Sequence, residues 1–176
     1  MRAITGKYKG RHFVVPRNFK ARPTTDFAKE NLFNVLRSAV EFEELRALDL
    51  FGGTGSITLE LLSRGAARVV CVEKDYQHYS FIRRMLSELG DAAGAAVRAD
   101  VLRFVPRCRE QFDLVFADPP YALPQIDELP EIVLGSNVLA EGGIFVLEHG
   151  KTNDFSQHAR FVEHRAYGSV NFSIFR

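Results

Sequence analysis

Four consecutive residues, Asp118-Pro119-Pro120-Tyr121, bring together a carboxylate, a proline-fixed carbonyl and an aromatic ring. Each proline sets its own φ and turns the residue before it away from helical backbone, so the turn is stiff. Two acceptors held side by side suit the two hydrogens of a planar exocyclic amine, and the Tyr121 ring offers a face to the ring that bears it. The same residues also make a tight turn capped by Asp118. What lies upstream decides between the two.

Upstream, polar groups recur where apolar runs end. Leu48, Leu50 and Phe51 lead from Asp49 into Gly53-Thr54-Gly55, a turn that lets backbone approach a ligand at a helix start. Thr58 stands where a dinucleotide fingerprint would want its third glycine, so the phosphate cradle is incomplete. Glu73 follows the next run and can accept from both ribose hydroxyls. Asp100 follows the third and would face an adenine amine, with the Val101 N–H open to a ring nitrogen. Taken singly, Asp75 and Asp100 read equally well as helix caps. Three acids and a glycine turn on one rim describe an adenosine pocket, and with a weakened phosphate loop the cofactor that fits is S-adenosylmethionine.

The elements that must position these groups alternate. Thr24, Thr25 and Asp26 open a helix running to about Val40, and Ser56–Ser63 forms a second, closed by Gly65. The third carries Tyr79, Ile82, Leu86 and Leu89 on one face, and Pro130 begins a later helix ending near Asn137. Strands are expected over Arg68–Val72, Ala96–Ala99, Phe112–Ala117 and Ile144–Leu147, the last preceded by a turn at Glu141-Gly142-Gly143. A hairpin broken at Gly168 closes the chain. This order predicts a single-domain α/β fold: a mostly parallel sheet with helices on both faces, preceded by a small arm or hairpin over residues 1–23. Ligands of such sheets bind beyond the carboxyl ends of the strands, where all the groups above fall.

The chain has 176 residues, and its net charge of +1 does not by itself point to nucleic acid. Its distribution tells more: seven basic side chains and no acid occupy the first 22 residues, which reads as a phosphate contact or as a solvated terminus. Cys71 and Cys108 show no disulfide framework, and no run is long and apolar enough for a signal peptide or membrane span, so a cytoplasmic protein is expected. The five histidines lack metal-ligand spacing and no metal is expected. Glu148 ends a strand, where it lines the site or caps a loop, and it is not counted among the site residues.

Leu48–Gly55, Glu73-Lys74-Asp75 and Asp118–Tyr121 together resemble the motifs of class I methyltransferases acting on exocyclic amines of nucleobases. Arg2–Arg11, Arg22–Asp26 and Leu62–Ala66 are similar, more narrowly, to the bacterial RsmD-like family that methylates guanine N2 in 16S ribosomal RNA. The similarity runs to about Glu148, with Gly52 where that family usually has alanine, a loss of one methyl that the turn should tolerate. The resemblance implies a Rossmann-like, seven-stranded class I methyltransferase domain over residues 24–176. It implies catalysis by Asp118, Pro119, Pro120 and Tyr121. S-adenosylmethionine would be held by Asp49, Phe51, Gly53, Thr54, Gly55, Glu73, Lys74, Asp100, Val101 and Asp118. Ribosomal RNA or the small subunit would meet Arg2, Lys7, Lys9, Arg11, Arg22, Thr24 and Thr25, and a monomer is expected.

Three other readings remain at this point. A NAD-dependent oxidoreductase is disfavoured by the incomplete glycine pattern. A DNA adenine-N6 or cytosine-N4 methyltransferase is disfavoured by the lack of room for a target-recognition domain. A non-catalytic RNA-binding module would have no use for the intact motifs.

Overall fold

The fold was analysed in a computed structural model, which describes residues 1–20 and 24–176. Arg22 and Pro23 therefore lie outside the described residues. The strands are β1 (Arg46–Leu50), β2 (Arg68–Glu73), β3 (Gly94–Arg98), β4 (Phe112–Ala117), β5 (Leu139–His149), β6 (Phe161–Tyr167) and β7 (Val170–Phe175). They form one seven-stranded sheet in the order β3-β2-β1-β4-β5-β7-β6. The first five are mutually parallel, and β7 joins β5 antiparallel with β6 at the edge. Order reverses between β1 and β4, which opens a crevice beyond their carboxyl ends.

The central strands are buried on both faces, which is why β1, β2 and β4 read as nearly unbroken apolar runs. Helices α1 (Asp26–Leu36), α2 (Ser56–Ser63) and α3 (Tyr76–Leu89) cover one face; α4 (Val101–Phe104) and α5 (Leu129–Leu134) cover the other. Alternate strand residues sort accordingly. Ala47, Cys71 and Phe116 join the first core, whereas Leu48, Leu50, Val70 and Val115 join the second.

Several boundaries differ from the sequence reading. α1 ends at Leu36, not Val40, because the Ser38 hydroxyl donates to the Val35 carbonyl and the Ala39 and Val40 amides fold back to Leu36. α5 ends at Leu134 rather than near Asn137; there the Ser136 hydroxyl takes the Val133 carbonyl. Glu141-Gly142-Gly143 is no turn between elements. It is a bulge inside β5, where Phe112 pairs with Leu139 but Leu114 already pairs with Ile144. β3 begins at Gly94, two residues before the expected Ala96.

The amino-terminal segment is extended, bridging Arg2 to His12 and Ala3 to Lys9. It lies against α2, with Ala3 and Phe13 buried in the first core. Gly6 makes the approach possible: at φ 84° a side chain would be strained, and a Cβ there would sit 1.8 Å from the Ser63 carbonyl oxygen. The Lys7 amide donates to that oxygen at 2.7 Å, and the Ser63 hydroxyl bonds the Thr5 carbonyl.

Candidate active site

The loop after β1 is built from Asp49 outward. Asp49 is buried, and its Oδ2 accepts from the Thr58 amide at 3.1 Å and the Thr58 hydroxyl at 2.6 Å. The departure from the dinucleotide glycine pattern is thus a hydrogen-bonding residue that ties the loop to the strand. Burial still pushes the Asp49 carboxyl up to about 7, against the pull of the Thr58 bonds. Phe51 holds φ 60°, a left-handed conformation that costs a non-glycine residue about 1–3 kcal/mol and gathers at ligand sites.

Glu73, at the end of β2, accepts the Gly53 amide at 2.8 Å with one oxygen and the Asp75 amide at 2.7 Å with the other. It fixes the glycine loop and keeps lone pairs for a diol, since an ionised carboxylate has about four acceptor positions. Asp100 caps α4 through the Leu102 amide and pairs with Lys74 at 2.8 Å, and that Lys74 bond holds its carboxyl below the usual range. Asp75 caps α3 through Gln77 and His78. Cap and ligand-facing roles therefore coexist at Asp100: it borders the cavity and closes a helix, whose first amide, from Val101, has no acceptor within the helix.

The carboxyl rim encloses a cavity of about 1240 Å³. Asp49, Phe51, Gly53, Thr54, Glu73, Lys74, Asp100, Val101, Asp118, Pro119, Pro120 and Tyr121 all line it, so the structure gathers the expected adenosine-binding and amine-binding groups into one space. Gly55 stands just behind, as the N-cap of α2. Lys20, Tyr76 and Arg98 join them without having been expected, and Glu148, left between a site and a loop-capping role, lines the cavity as well.

The Asp118 amide donates to the Leu50 carbonyl at 3.3 Å, and the Pro120 carbonyl accepts from Leu123 at 2.8 Å, so the turn is pinned at both ends. Burial raises the Asp118 carboxyl to about 7, and among the described residues no hydrogen bond opposes it. The register Ala117↔Leu147 sets Asp118 beside Glu148 on the neighbouring strand. Glu148 is only 6% exposed, and its Oε1 accepts the Tyr121 hydroxyl at 3.1 Å. Its Oε2 is buried with no hydrogen-bond partner among the described residues. Burial, then the Asp118 charge, pushes Glu148 up to about 8. Glu148 obeys the same rule as Glu73 and Asp118, an acid at the carboxyl end of a parallel strand, and that rule was the available signal for it.

The residues expected to meet RNA are scattered. Thr24 lines the cavity, and Thr25 caps α1, accepting the Ala28 amide at 3.2 Å. Arg2 pairs with Asp26 at 2.8 Å. Lys7 pairs with Asp91 at 2.8 Å and Arg11 donates to the Glu88 carbonyl, both near the amino edge of the sheet and away from the cavity. Lys9 is exposed. Among the described residues no group of three or more His, Cys, Asp or Glu is placed to hold a metal ion, and no helix is long and apolar enough to cross a membrane.

Comparison with known proteins agrees with this fold. The family profile described as Conserved hypothetical protein 95 matches residues 1–176. The Bacillus subtilis (strain 168) protein YlbH is 33% identical over 183 residues, spanning 100% of this chain and 98% of that protein. Ribosomal RNA small subunit methyltransferase D of Escherichia coli (strain K12) is 30% identical over 148 residues, spanning 84% of this chain and 74% of that protein. Among solved structures, a hypothetical protein of Thermus thermophilus superimposes with a TM-score of 0.87 at 30% identity, covering 100% of this chain and 99% of that one. The Escherichia coli protein yhhF gives a TM-score of 0.86 at 27% identity, covering 99% and 96%.

Proposed function

The chain belongs to the Conserved hypothetical protein 95 family of S-adenosylmethionine-dependent methyltransferases, and from that premise we propose that it methylates the exocyclic N2 amine of a guanine in 16S ribosomal RNA. The observation that carries the reading is Asp118: a carboxylate with no hydrogen-bonded partner among the described residues, fixed by two prolines beside Tyr121, inside the cavity that the acids of β1, β2 and β4 share. The ribosomal target follows from the relatives named for ribosomal RNA, and guanine N2 from the resemblance carried by Arg2–Arg11 and Arg22–Asp26.

The residues present fit S-adenosylmethionine. Glu73 and Asp100 stand where the sugar hydroxyls and adenine of a nucleoside would lie, and the glycine loop closes the cavity floor between them and Asp118. When bound, the cofactor supplies an electrophilic methyl on sulfonium. A guanine amine is a poor nucleophile because its lone pair is delocalised into the ring. Asp118 and the Pro119 carbonyl accept its two hydrogens, favour a pyramidal nitrogen and stabilise the positive charge that develops there. Asp118 then holds the proton that becomes acidic once the methyl has transferred. Tyr121 stacks on the base, worth on the order of 1–3 kcal/mol, which offsets the few kcal/mol of unstacking. Phosphates meet the exposed basic groups of the arm, Lys9 and Lys20 foremost, while Arg2 and Lys7 bring charges already paired with Asp26 and Asp91.

The test is direct. The protein is incubated with labelled S-adenosylmethionine and, separately, ribosomal RNA, small subunits from cells lacking the gene, and duplex DNA, and the label is mapped. Label on N2 of one guanine in 16S RNA is expected; label in DNA or at another atom refutes the assignment.

A further inference from the structure

We propose that Glu148 reads the ring N1–H of the target guanine, making it the residue that selects guanine over the other bases. This rests on the reading above that guanine N2 is the amine methylated. Glu148 is a carboxylate closed off from water, with one oxygen on the Tyr121 hydroxyl and the other on nothing among the described residues. A buried polar atom without a partner is rare, and in a binding cavity it marks where a ligand group belongs. The parallel register pairs Ala117 with Leu147, so Asp118 and Glu148 each follow directly at the ends of adjoining strands. Such strands run about 4.8 Å apart, a span on which two carboxylates contact neighbouring positions of one base edge.

The pair is rich in acceptors and short of donors, so its complement is a base edge rich in donors. Guanine alone among the four RNA bases sets a ring N–H directly beside an exocyclic amine. Adenine and cytosine place a bare lone pair there, which a carboxylate repels, and uracil has no amine. With the amine on Asp118 and the Pro119 carbonyl, the adjoining ring nitrogen falls to the next strand, where Glu148 waits. The alternative is that Glu148 merely holds the Tyr121 ring in place.

2-Aminopurine separates the two roles, because it keeps the amine and replaces the N1–H by a lone pair. Once the modified nucleotide is mapped, RNA carrying guanosine or 2-aminopurine riboside at that position is methylated under single-turnover conditions. The wild-type protein is expected to prefer guanine by roughly 100-fold, the discrimination a well-made base-edge contact supplies. In Glu148→Gln the side-chain amide presents either its oxygen or its NH₂, so guanine turnover falls and the preference shrinks to less than about tenfold, with S-adenosylmethionine affinity in calorimetry unchanged. Tyr121→Phe removes the hydroxyl alone and should keep the wild-type preference. Where Glu148→Gln turns over too slowly, equilibrium binding of the two RNAs, followed by 2-aminopurine fluorescence and competition, gives the same ratio. An unchanged ratio in Glu148→Gln, or a wild-type protein blind to the difference, overturns the proposal while leaving guanine methylation standing. A wild-type protein that places no methyl on guanine N2 removes the reading beneath it.

Discussion

Glu60 and the Asp118–Glu148 pair are both acidic groups drawn out of water, and they are treated in opposite ways. Glu60, fully buried in α2, accepts from the Ile4 amide at 2.7 Å, the Thr5 amide at 3.3 Å, the Thr5 hydroxyl at 3.2 Å and the Arg64 guanidinium at 2.8 Å. Nearly every lone pair is used. The Tyr121 hydroxyl donates to Glu148 alone, and the Asp118 carboxylate has no donor among the described residues. A satisfied buried carboxylate holds the fold together; an unsatisfied one is tolerated only where a ligand completes it.

The largest effect should come from disturbing the satisfied acid. Glu60→Gln turns an NH₂ toward donors, leaves Arg64 unpaired, and should cost about 3–5 kcal/mol in chemical denaturation. A loss below about 1 kcal/mol would mean that the network is ornamental. Next, Asp118→Ala should lower methyl transfer by roughly 100-fold or more, as losing an oxyanion-type partner does, while cofactor still binds and stability is hardly touched. Near-normal turnover would erase the contrast.

Smaller is Gly52→Ala. The sequence reading expects the missing methyl to be harmless, but a Cβ at Gly52 would stand 2.2 Å from Cys71 Sγ and 3.3 Å from Ile82 Cδ1. Restoring alanine should cost about 1–3 kcal/mol in urea melts, and adding Cys71→Ala should recover much of it. Additive losses in the double variant would rule out this contact as the cause.

The smallest effect is a matter of pH. Asp118 and Glu148 have folded pKa values raised to about 7 and about 8, above those of an unfolded chain near 4, so the folded state binds more protons between those limits. Stability from this source is present below pH 4 and is lost as pH rises through 7 and 8. The ligand-free Asp118→Asn protein should therefore melt higher than wild type at pH 9, by roughly 2–4 °C if the difference is about 1 kcal/mol, and no higher at pH 4. Equal melting at pH 9 would show these acids to be better solvated than the structure has them.

Most of the fold was legible in the sequence because β1, β2 and β4 are buried on both faces and α3 carries a clean apolar stripe. That these acids and glycines would share one cavity was legible because they recur where apolar runs end. Local polar competition hid the rest. Ser38 and Ser136 end helices by bonding carbonyls that a period count assigns to the helix, and the β5 bulge looks like a turn because Gly142 and Gly143 suit either. Glu148 was visible as a strand-end acid, but its pairing with Asp118 depends on register between strands, which no single stretch of chain displays.

The Gly6 approach to Ser63 has a consequence for how the protein can be cut. The amino terminus is a plug set into the end of α2, bringing Glu60 three of its four donors. Removing residues 1–12 would leave Glu60 beneath the first core with Arg64 as its remaining donor among the described residues. A truncated protein that failed on RNA would then report a loosened scaffold before it reported a lost handle, and exposed side chains such as Lys9 must be exchanged one at a time to tell the two apart.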